Sequence, residues 1–314
     1  MIRTTTLRYG FFFLLLLSLS STVGWSQYPD HSSRVILVSG VTGTQGGAVA
    51  RELVQRGYRV RGLSRTPDSE ASRKLSALGV QMVRGNFDDA ASLDKALEGA
   101  YGAFSVQQYR GVGVDGEIRQ SKAFADASKR ADIQHFVYTS VAKATLGTGV
   151  PQFESKLEIE NYIRSLDMPY TIIRPASFMS TIETFREDAQ AGSFSGPLAP
   201  SLDRVFVAPS DIGRFVATAF DDPAGWLGRE ISIASDRTTY SNIAAAMSRI
   251  MNRPVVYHQT PWEEFVASAP PTAIAATTWY RDNVDPISVT ALRKEFPWLL
   301  TFEEYLVEAG WGEL

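Results

Sequence analysis

One stretch of sequence, Val35-Ile-Leu-Val-Ser-Gly40-Val-Thr-Gly43-Thr-Gln-Gly46, decides the fold prediction. Its first part is almost wholly apolar, as expected of a strand that is buried on both faces. The glycines follow directly, and residues 47–56 have the apolar spacing of a helix. A strand, a glycine-rich turn and a helix in this order indicate the first unit of a parallel sheet.

Strands and helices continue to alternate as far as Pro175. Further strands are predicted at 58–63, 80–84, 103–106, 135–140 and 170–174, and further helices at 69–78, 91–97, 118–130 and 156–166. Because the connections are short, this order predicts an α/β fold, in which a parallel sheet carries helices on both faces. We expect residues 34–175 to form such a Rossmann-type domain.

The alternation becomes less regular after Pro175. Residues 192–200 are rich in Gly, Ser and Pro and predict a loop, whereas 205–207, 211–220 and 231–234 predict a strand, a helix and a strand. We expect residues 176–314 to complete the domain and to supply a smaller C-terminal lobe for the substrate.

Residues 1–26 have the order of regions that is typical of a secretory signal peptide. Arg3 and Arg8 precede the apolar run 11–17, and small and polar residues follow it. The run is shorter than the roughly 20 residues that span a membrane. With a linker at 27–33, the segment predicts an exported or membrane-anchored protein. A start codon assigned too far upstream would instead leave the protein cytoplasmic.

The composition excludes several classes of function. The net charge of −3 gives no support to nucleic acid as a partner, and the absence of cysteine excludes disulfides and thiolate catalysis. The histidines, His31, His135 and His258, are far apart in the sequence, so their spacing predicts neither a metal site nor a Ser-His-Asp site.

The glycine turn predicts a dinucleotide site. Gly40 allows a tight turn, Gly43 lets the backbone approach a pyrophosphate, and Gly46 lets the helix pack closely on the strand. The free N–H groups at the start of the helix favour an anion. We therefore expect the turn, including Thr42, Thr44 and Gln45, to bind the cofactor. An ordinary glycine-rich connection is the alternative.

The end of the second strand favours NADP(H) over NAD(H). NAD-binding proteins usually carry an acidic residue there, to accept hydrogen bonds from the ribose 2′-hydroxyl. This chain has Ser64 and Arg65 instead, and a guanidinium pairs well with a 2′-phosphate. A solvated surface arginine, with NAD(H) as the cofactor, is the alternative.

Five segments together resemble the NmrA-like family of atypical short-chain dehydrogenase/reductases. The resemblance covers about residues 34–310, and the segments are Gly40-Val-Thr-Gly-Thr-Gln-Gly-Gly47, Val60-Arg-Gly-Leu-Ser-Arg65, Val83-Arg-Gly-Asn-Phe-Asp-Asp89, Phe153-Glu-Ser-Lys156 and Ile173-Arg-Pro-Ala-Ser-Phe-Met179.

The resemblance implies further cofactor contacts. It places the loop after the third strand against the adenine, the end of the fourth strand beneath the cofactor, a basic residue of the next helix near the phosphates, and Lys156 at the nicotinamide ribose. The corresponding residues are Asn86, Phe87, Asp88, Val106, Gln107, Gln108, Tyr109, Arg119 and Phe178. Asn86 replaces an aspartate that is frequent in the family, and Ser180 and Thr181 replace its Glu-Asn, so polar contacts near the nicotinamide differ.

The catalytic residues of short-chain reductases are a serine, a tyrosine and a lysine. The resemblance assigns Ser140 and Lys156 as candidates, and we compare Phe153 with the tyrosine, so that the usual proton donor is missing. Structural alternatives are a Lys156–Glu160 pair on the helix surface and a Ser140 hydroxyl that caps a turn.

Two functions remain open. An NADPH-dependent oxidoreductase that acts on a quinone or a similar small acceptor needs no dedicated acid, because the reduced oxygen takes a proton from solvent. A catalytically silent redox sensor would instead bind NADP(H) and regulate a protein partner. The sequence predicts no oligomeric state.

Overall fold

A computed structural model describes residues 31–313 of the protein. The predicted export segment 1–26 and most of the linker lie outside these residues, so the export prediction remains open. Within the described part, no helix is both long and apolar enough to cross a membrane.

The core of the molecule is a seven-stranded, fully parallel sheet with the order β10-β6-β5-β4-β1-β2-β3. Its strands are β1 (Val35–Val38), β2 (Arg59–Ser64), β3 (Gln81–Arg84), β4 (Gly102–Ser105), β5 (His135–Thr139), β6 (Tyr170–Pro175) and β10 (Glu230–Ile233). The order β3-β2-β1-β4-β5-β6 is that of the Rossmann fold, which confirms the predicted fold class.

Helices cover both faces of the sheet. They are α1 (Thr44–Gln55), α2 (Glu70–Ala77) and α7 (Pro209–Asp221) on one face, and α3 (Ala90–Leu97), α4 (Gly113–Arg130) and α5 (Pro151–Ser165) on the other. The alternation of side chains along β1 serves both layers. Ile36 and Val38 pack with α1 and α7, whereas Leu37 packs with α3 and α4. This explains why β1 is apolar at every position.

The chain changes direction across the sheet at β1, which has β2 on one side and β4 on the other. Ser39 fixes this point, because its hydroxyl donates to the carbonyl of Val106 and accepts from the Val106 amide at 2.8 Å. The crevice beyond such a reversal is where open α/β sheets bind ligands.

The chain after Pro175 contributes to both the main sheet and a separate lobe. Strand β10 forms the edge next to β6, and α7 packs against α1. Helices α8 (Pro223–Trp226) and α12 (Val289–Glu295) also pack with the main core, through Trp226, Val289 and Leu292. The lobe contains two small sheets and several helices: β7 (Ser177–Phe178), α6 (Arg186–Gln190), β8 (Ser193–Gly196), β9 (Arg204–Val207), β11 (Asp236–Thr238), α9 (Tyr240–Ile250), β12 (Val256–Gln259), α10 (Trp262–Ser268), α11 (Pro271–Asp282) and α13 (Phe302–Glu308). Short 3₁₀ helices lie at Met179–Phe185 and Trp311–Glu313.

One expectation for this half is wrong. Residues 192–200 are not only a loop, because β8 lies within them and pairs in parallel with β12. Ser and Gly are poor strand formers, and the strand depends on a partner more than 50 residues later along the chain.

Candidate functional site

The glycine turn is closed too tightly to hold side chains. Gly40 has a φ of +56°, and a Cβ there would lie 2.7 Å from Val106 Cγ1. A Cβ on Gly46 would lie 2.3 Å from the carbonyl oxygen of Gly40. The Gly43 amide donates to the same oxygen at 2.9 Å. The turn therefore needs glycine at Gly40 and Gly46 for steric reasons.

The N-terminus of α1 has no side-chain cap. Gly43 is its N-cap residue, and Thr42, Gly43 and Thr44 are exposed. A hydrogen bond fixes the side chain of Gln45: its Oε1 accepts from Oγ1 of Thr139, at the end of β5, at 2.7 Å. Exposed N–H groups at the positive end of a helix suit a phosphate.

Two arginines lie at the ends of the neighbouring strands β2 and β3. Arg65 is exposed, and no hydrogen bond or ion pair of its guanidinium occurs among the described residues. Ser64 pairs in register with Arg84 of β3, whose Nη1 donates to the Arg65 carbonyl at 2.9 Å. Arg84 is therefore a further candidate for cofactor binding that the sequence analysis missed. Its position at the end of the strand next to β2 could have indicated it.

Hydrogen bonds, an ion pair and an aromatic contact hold the loop after β3 in place, and several of them join it to α4. The Asp88 amide donates to the side chain of Asn86, and the Asp88 carboxylate accepts from Gln120 and lies 3.2 Å from Arg119 Nη2. Arg119, which we expected near the phosphates, is therefore paired with Asp88 here. Phe87 packs edge-on against Phe124, with ring centres 5.7 Å apart.

The residues of the segment after β4 differ in their burial and in their hydrogen bonds. Gln107 is buried, and its Oε1 accepts from Ser105 and Ser121, whereas its buried Nε2 has no partner. Gln108 is exposed and Tyr109 is half-buried. Gln107 is the member of this segment that can offer a free donor to a ligand.

Lys156 is buried beside Glu117 of α4. Its Nζ lies 3.0 Å from Glu117 Oε1 and donates to the Gln107 carbonyl at 3.2 Å. Ser155 donates to the other Glu117 oxygen at 2.9 Å. The alternative pairing of Lys156 with Glu160 is wrong, because Glu160 pairs with Arg164 and Arg174. Glu117 had no motif or spacing that would have singled it out in the sequence.

The comparison of Phe153 with the tyrosine of short-chain reductases is wrong by one residue. In the Tyr-x-x-x-Lys spacing the tyrosine precedes the lysine by four residues, and that position is Gln152, not Phe153. The Gln152 amide donates to the Thr272 carbonyl at 2.8 Å, and neither side chain is an acid. Ser140 caps nothing: its Oγ is buried without a partner.

Helix α11 covers this end of α5. The Phe153 and Tyr280 rings meet edge-on with centres 6.2 Å apart, and Tyr280 also stacks on the guanidinium of Arg204. Phe178, directly after β6, is half-buried beside the main core. The Phe153–Tyr280 pair thus lies one helical turn before Lys156 on α5.

These features fit a dinucleotide. The turn leaves the backbone accessible because side chains are excluded, and the buried Gln107 Nε2 and Ser140 Oγ lack protein partners. An ammonium has three donors, and Lys156 uses two of them on Glu117 and Gln107. No cluster of the described residues could hold a metal ion.

Comparison with known proteins identifies the family. Residues 32–306 match the NmrA-like family. The NmrA-like family domain-containing oxidoreductase lnbB of Aspergillus flavus is 30% identical over 279 residues, covering 76% of this chain and 80% of that protein. The nitrogen metabolite repression protein nmrA of Emericella nidulans is 28% identical over 272 residues, covering 82% and 74%.

A third relative is the (4-alkanoyl-5-oxo-2,5-dihydrofuran-3-yl)methyl phosphate reductase of Streptomyces griseus. It is 29% identical over 245 residues, covering 77% of this chain and 81% of the relative.

Solved structures share the fold. NmrA, a negative transcriptional regulator in complex with NADP, superposes with a TM-score of 0.72 at 23% identity, covering 87% of this chain and 94% of that one. The Citrobacter sp. triphenylmethane reductase complexed with NADP(H) gives 0.72 at 22%, covering 88% and 99%. The quinone oxidoreductase QOR2 of Escherichia coli complexed with NADPH gives 0.72 at 19%, covering 87% and 99%. With a family match that spans most of its length, the chain belongs to the NmrA-like family.

Proposed function

We propose that the protein is an NADPH-dependent reductase of a small planar acceptor, a quinone or an enone-like compound. The observation that carries the cofactor assignment is the turn Gly40–Gly46, where a Cβ on Gly46 would meet the Gly40 carbonyl at 2.3 Å. This turn leads into a helix N-terminus without a side-chain cap. A pyrophosphate can approach such a backbone and accept from its N–H groups.

Arg65 and Arg84 support NADP(H) over NAD(H). The Arg65 guanidinium has no protein partner in the described part of the chain, and Arg84 holds the Arg65 backbone from β3. A 2′-phosphate at this point would meet two cations and the Ser64 hydroxyl. An unmodified ribose would leave the charge of Arg65 without a counterpart, whereas Arg84 also lies 3.6 Å from Asp68 Oδ2.

The acceptor class rests on the relatives and on the aromatic side chains. A quinone oxidoreductase and a dye reductase share the fold, and the dihydrofuran-one named for the Streptomyces griseus relative is a conjugated carbonyl compound. Phe153 and Tyr280 form an edge-on aromatic pair, and Phe153 lies one helical turn before Lys156 on α5. Bound NADPH supplies a hydride.

The residues of the protein itself position the cofactor, and they supply no proton to the product. Lys156 is held by Glu117 and Gln107 with one donor to spare, which suits a ribose hydroxyl of the cofactor. Gln152 and Phe153 carry no acidic proton, so the product oxygen takes its proton from water. A quinone tolerates this because hydride addition leaves a phenolate, which is a much weaker base than the alkoxide formed from a simple ketone, and solvent protonates it without a dedicated acid.

A redox sensor is the second candidate. The side chains of α5 that face Tyr280 and Thr272 lack the phenol of the short-chain reductases, and nmrA of Emericella nidulans is named as a repression protein. A sensor of this kind would bind NADP(H) and change its contacts with a protein partner without turnover.

One experiment separates the two functions. The protein is titrated with NADPH, and a panel of benzoquinones, naphthoquinones and enones is then added while the absorbance of the reduced nicotinamide is recorded. Oxidation that depends on the acceptor supports the reductase. Binding without oxidation by any acceptor supports the sensor, and no binding contradicts both.

The location of the protein is a separate proposal, which rests on residues 1–26. An exported domain meets little free NADP(H), so an uncleaved anchor that keeps the domain in the cytoplasm would reconcile the two predictions. Membrane fractionation of the full chain with a C-terminal tag, followed by N-terminal sequencing, tests this. A soluble product with an intact N-terminus would contradict it.

A further inference from the structure

A second group of buried charges lies at the carboxyl end of the sheet, apart from the Lys156–Glu117 pair. Lys143, in the segment after β5, is fully buried and lies 2.7 Å from Asp285 Oδ1. Arg204, the first residue of β9, is 4% exposed. Its Nη2 donates to Ser177 Oγ at 2.7 Å, and its guanidinium lies 3.7 Å from the centre of the Tyr280 ring.

These charges do not balance. Asp285 is already paired with Lys143, and Arg237 pairs with Asp203 and donates to the backbone carbonyls of Asp285 and Ile287. No carboxylate among the described residues forms an ion pair with Arg204. A buried cation without a counter-charge is costly, and such groups are normally paired.

Two further observations agree with an excess of positive charge at this place. Burial lowers the pKa of Lys143, Asp285 offsets part of that effect, and the charges of Arg204 and Arg237 lower the pKa further. The Nε of Arg204 is buried and has no hydrogen-bond partner. The guanidinium therefore has an unused donor as well as an unpaired charge, and two adjacent N–H groups of an arginine form the fork that binds an oxyanion.

The position of Arg204 connects it to the proposed acceptor. Strand β9 pairs with β7, which directly follows the carboxyl end of β6. Tyr280 lies between the two regions, because its ring stacks on Arg204 and meets Phe153 one helical turn before Lys156. Tyr280 therefore contacts both Arg204 and the helix that carries Lys156.

We infer that Arg204 binds an anionic oxygen group, a carboxylate or a phosphate, of the molecule that the proposed reductase acts on. The inference rests on the proposed function for the identity of that molecule as the acceptor, but the anion site itself does not depend on it. The bound anion neutralises the buried charge, accepts from the free Nε–H of Arg204, and leaves the flat part of the molecule against Tyr280 and Phe153.

The test uses planar probes that differ in charge alone. The full chain is saturated with NADP⁺, and 2-naphthoate, 2-naphthyl phosphate and the uncharged 2-naphthamide are titrated by calorimetry. We expect the two anions to bind at least tenfold more tightly than the amide. The stronger of the two anions indicates which group the natural ligand carries.

Arg204→Met removes the charge at similar length, and Arg204→Lys keeps the charge but loses the fork. We expect Arg204→Met to reduce affinity for the anions at least tenfold and to leave naphthamide binding within twofold, with Arg204→Lys between them. Arg229→Met is the matched control, because Arg229 also stacks on an aromatic ring, 4.6 Å from the centre of Trp226, but pairs with Glu295 elsewhere.

A structural role for Arg204 predicts other results. If the arginine only supports the fold, Arg204→Met lowers the melting temperature and leaves the ratio of anion to amide affinity unchanged, which would overturn the inference. Equal affinities of the wild-type protein for all three probes would overturn it too. NADP⁺ binding is measured first, and if it fails the probes are titrated without nucleotide, so that failure of the proposed function is distinguished from failure of the anion site.

Discussion

Glu117 and Lys156 form a buried ion pair across two helices, with Oε1 and Nζ 3.0 Å apart and their side chains 1% and 11% exposed. Ser155 saturates the second carboxylate oxygen, and the carbonyl of Gln107 accepts from the ammonium. The lysine that the resemblance assigns to the cofactor ribose is therefore fixed in place by the protein before any ligand binds. Such preorganisation lowers the entropic cost of binding, because the lysine side chain is already ordered when the ligand arrives.

Removing one member of this pair is expected to be costly. Glu117→Gln leaves the buried ammonium without its counter-charge, and we expect a loss of about 3 kcal/mol in the free energy of unfolding. The double variant Glu117→Gln/Lys156→Met should lose at least about 1 kcal/mol less than the sum of the single variants. Urea unfolding of the wild type, the two single variants and the double variant measures both quantities.

Lys122→Met is the control for this cycle, because Lys122 pairs with Glu158 at 2.7 Å between the same two helices but on the exposed side. Its cost should stay within about 1 kcal/mol. Equal effects of Lys122→Met and Glu117→Gln would show that burial of the Lys156 pair is unimportant.

Arg65→Ala should change the choice of cofactor. Charge-assisted hydrogen bonds are worth about 1.5–3 kcal/mol, so we expect at least a tenfold loss of NADPH affinity and less than a twofold change for NADH. Arg59→Ala is the control, because Arg59 is exposed at the opposite end of the same strand. Titrations of each protein with both nucleotides provide the comparison, and equal losses for NADPH and NADH would defeat the 2′-phosphate assignment.

Gly43→Ala should weaken cofactor binding more than folding. Its Cβ would lie 3.3 Å from the Gly40 carbonyl, which the turn can accommodate by a small shift, but the methyl group would occupy the exposed side of the turn. We expect more than a tenfold loss of NADPH affinity at a cost of about 1 kcal/mol in stability. Calorimetric titration and thermal unfolding measure the two effects.

Gly57→Ala provides the opposite control. Gly57 has a φ of +84° with open space around it, so alanine there costs about 1–2 kcal/mol of backbone strain without touching the site. A loss of NADPH affinity in Gly57→Ala as large as in Gly43→Ala would mean that stability, and not the turn, controls binding.

His135 predicts a pH dependence of stability. Burial lowers the pKa of its ring to about 4, and Nε2 lies 2.8 Å from Thr171 Oγ1. The folded protein keeps the ring neutral, whereas the unfolded chain takes up a proton below about pH 6.5. Stability from this group is therefore complete above pH 6.5 and falls by about 3 kcal/mol as the pH drops to 4.

His135→Gln should reduce that slope, and His258→Gln, at an exposed histidine, should not. Chemical unfolding at half-unit steps between pH 7.5 and 4 measures the slopes. Identical slopes for the two variants would contradict the assignment to His135.

The sequence was most informative where local chemistry decides the structure. The apolar run of β1 and the glycines after it need no tertiary information, because burial on both faces and steric exclusion act on adjacent residues. The strands and helices that follow each other as far as Pro175 were predicted within a few residues for the same reason. Helices α4 and α5 begin five residues earlier than predicted, at Gly113 and Pro151.

The sequence was least informative where distant segments meet. Glu117 looks like any helix glutamate until α4 packs on α5, and Arg204 like any strand arginine until α11 brings Tyr280 over it. Strand β8 has unfavourable composition and forms because β12 lies beside it. Short sequence motifs do not predict such pairings, because the pairings depend on the path of the whole chain.

A calorimetric titration of the folded protein with NADPH, with Gly43→Ala measured alongside, decides whether the turn Gly40–Gly46 binds the cofactor. We expect saturable binding of one nucleotide per chain in the wild-type protein and a large loss of affinity in the variant. A folded wild-type protein that binds neither NADPH nor NADH, or a variant that binds as tightly as the wild type, would contradict it.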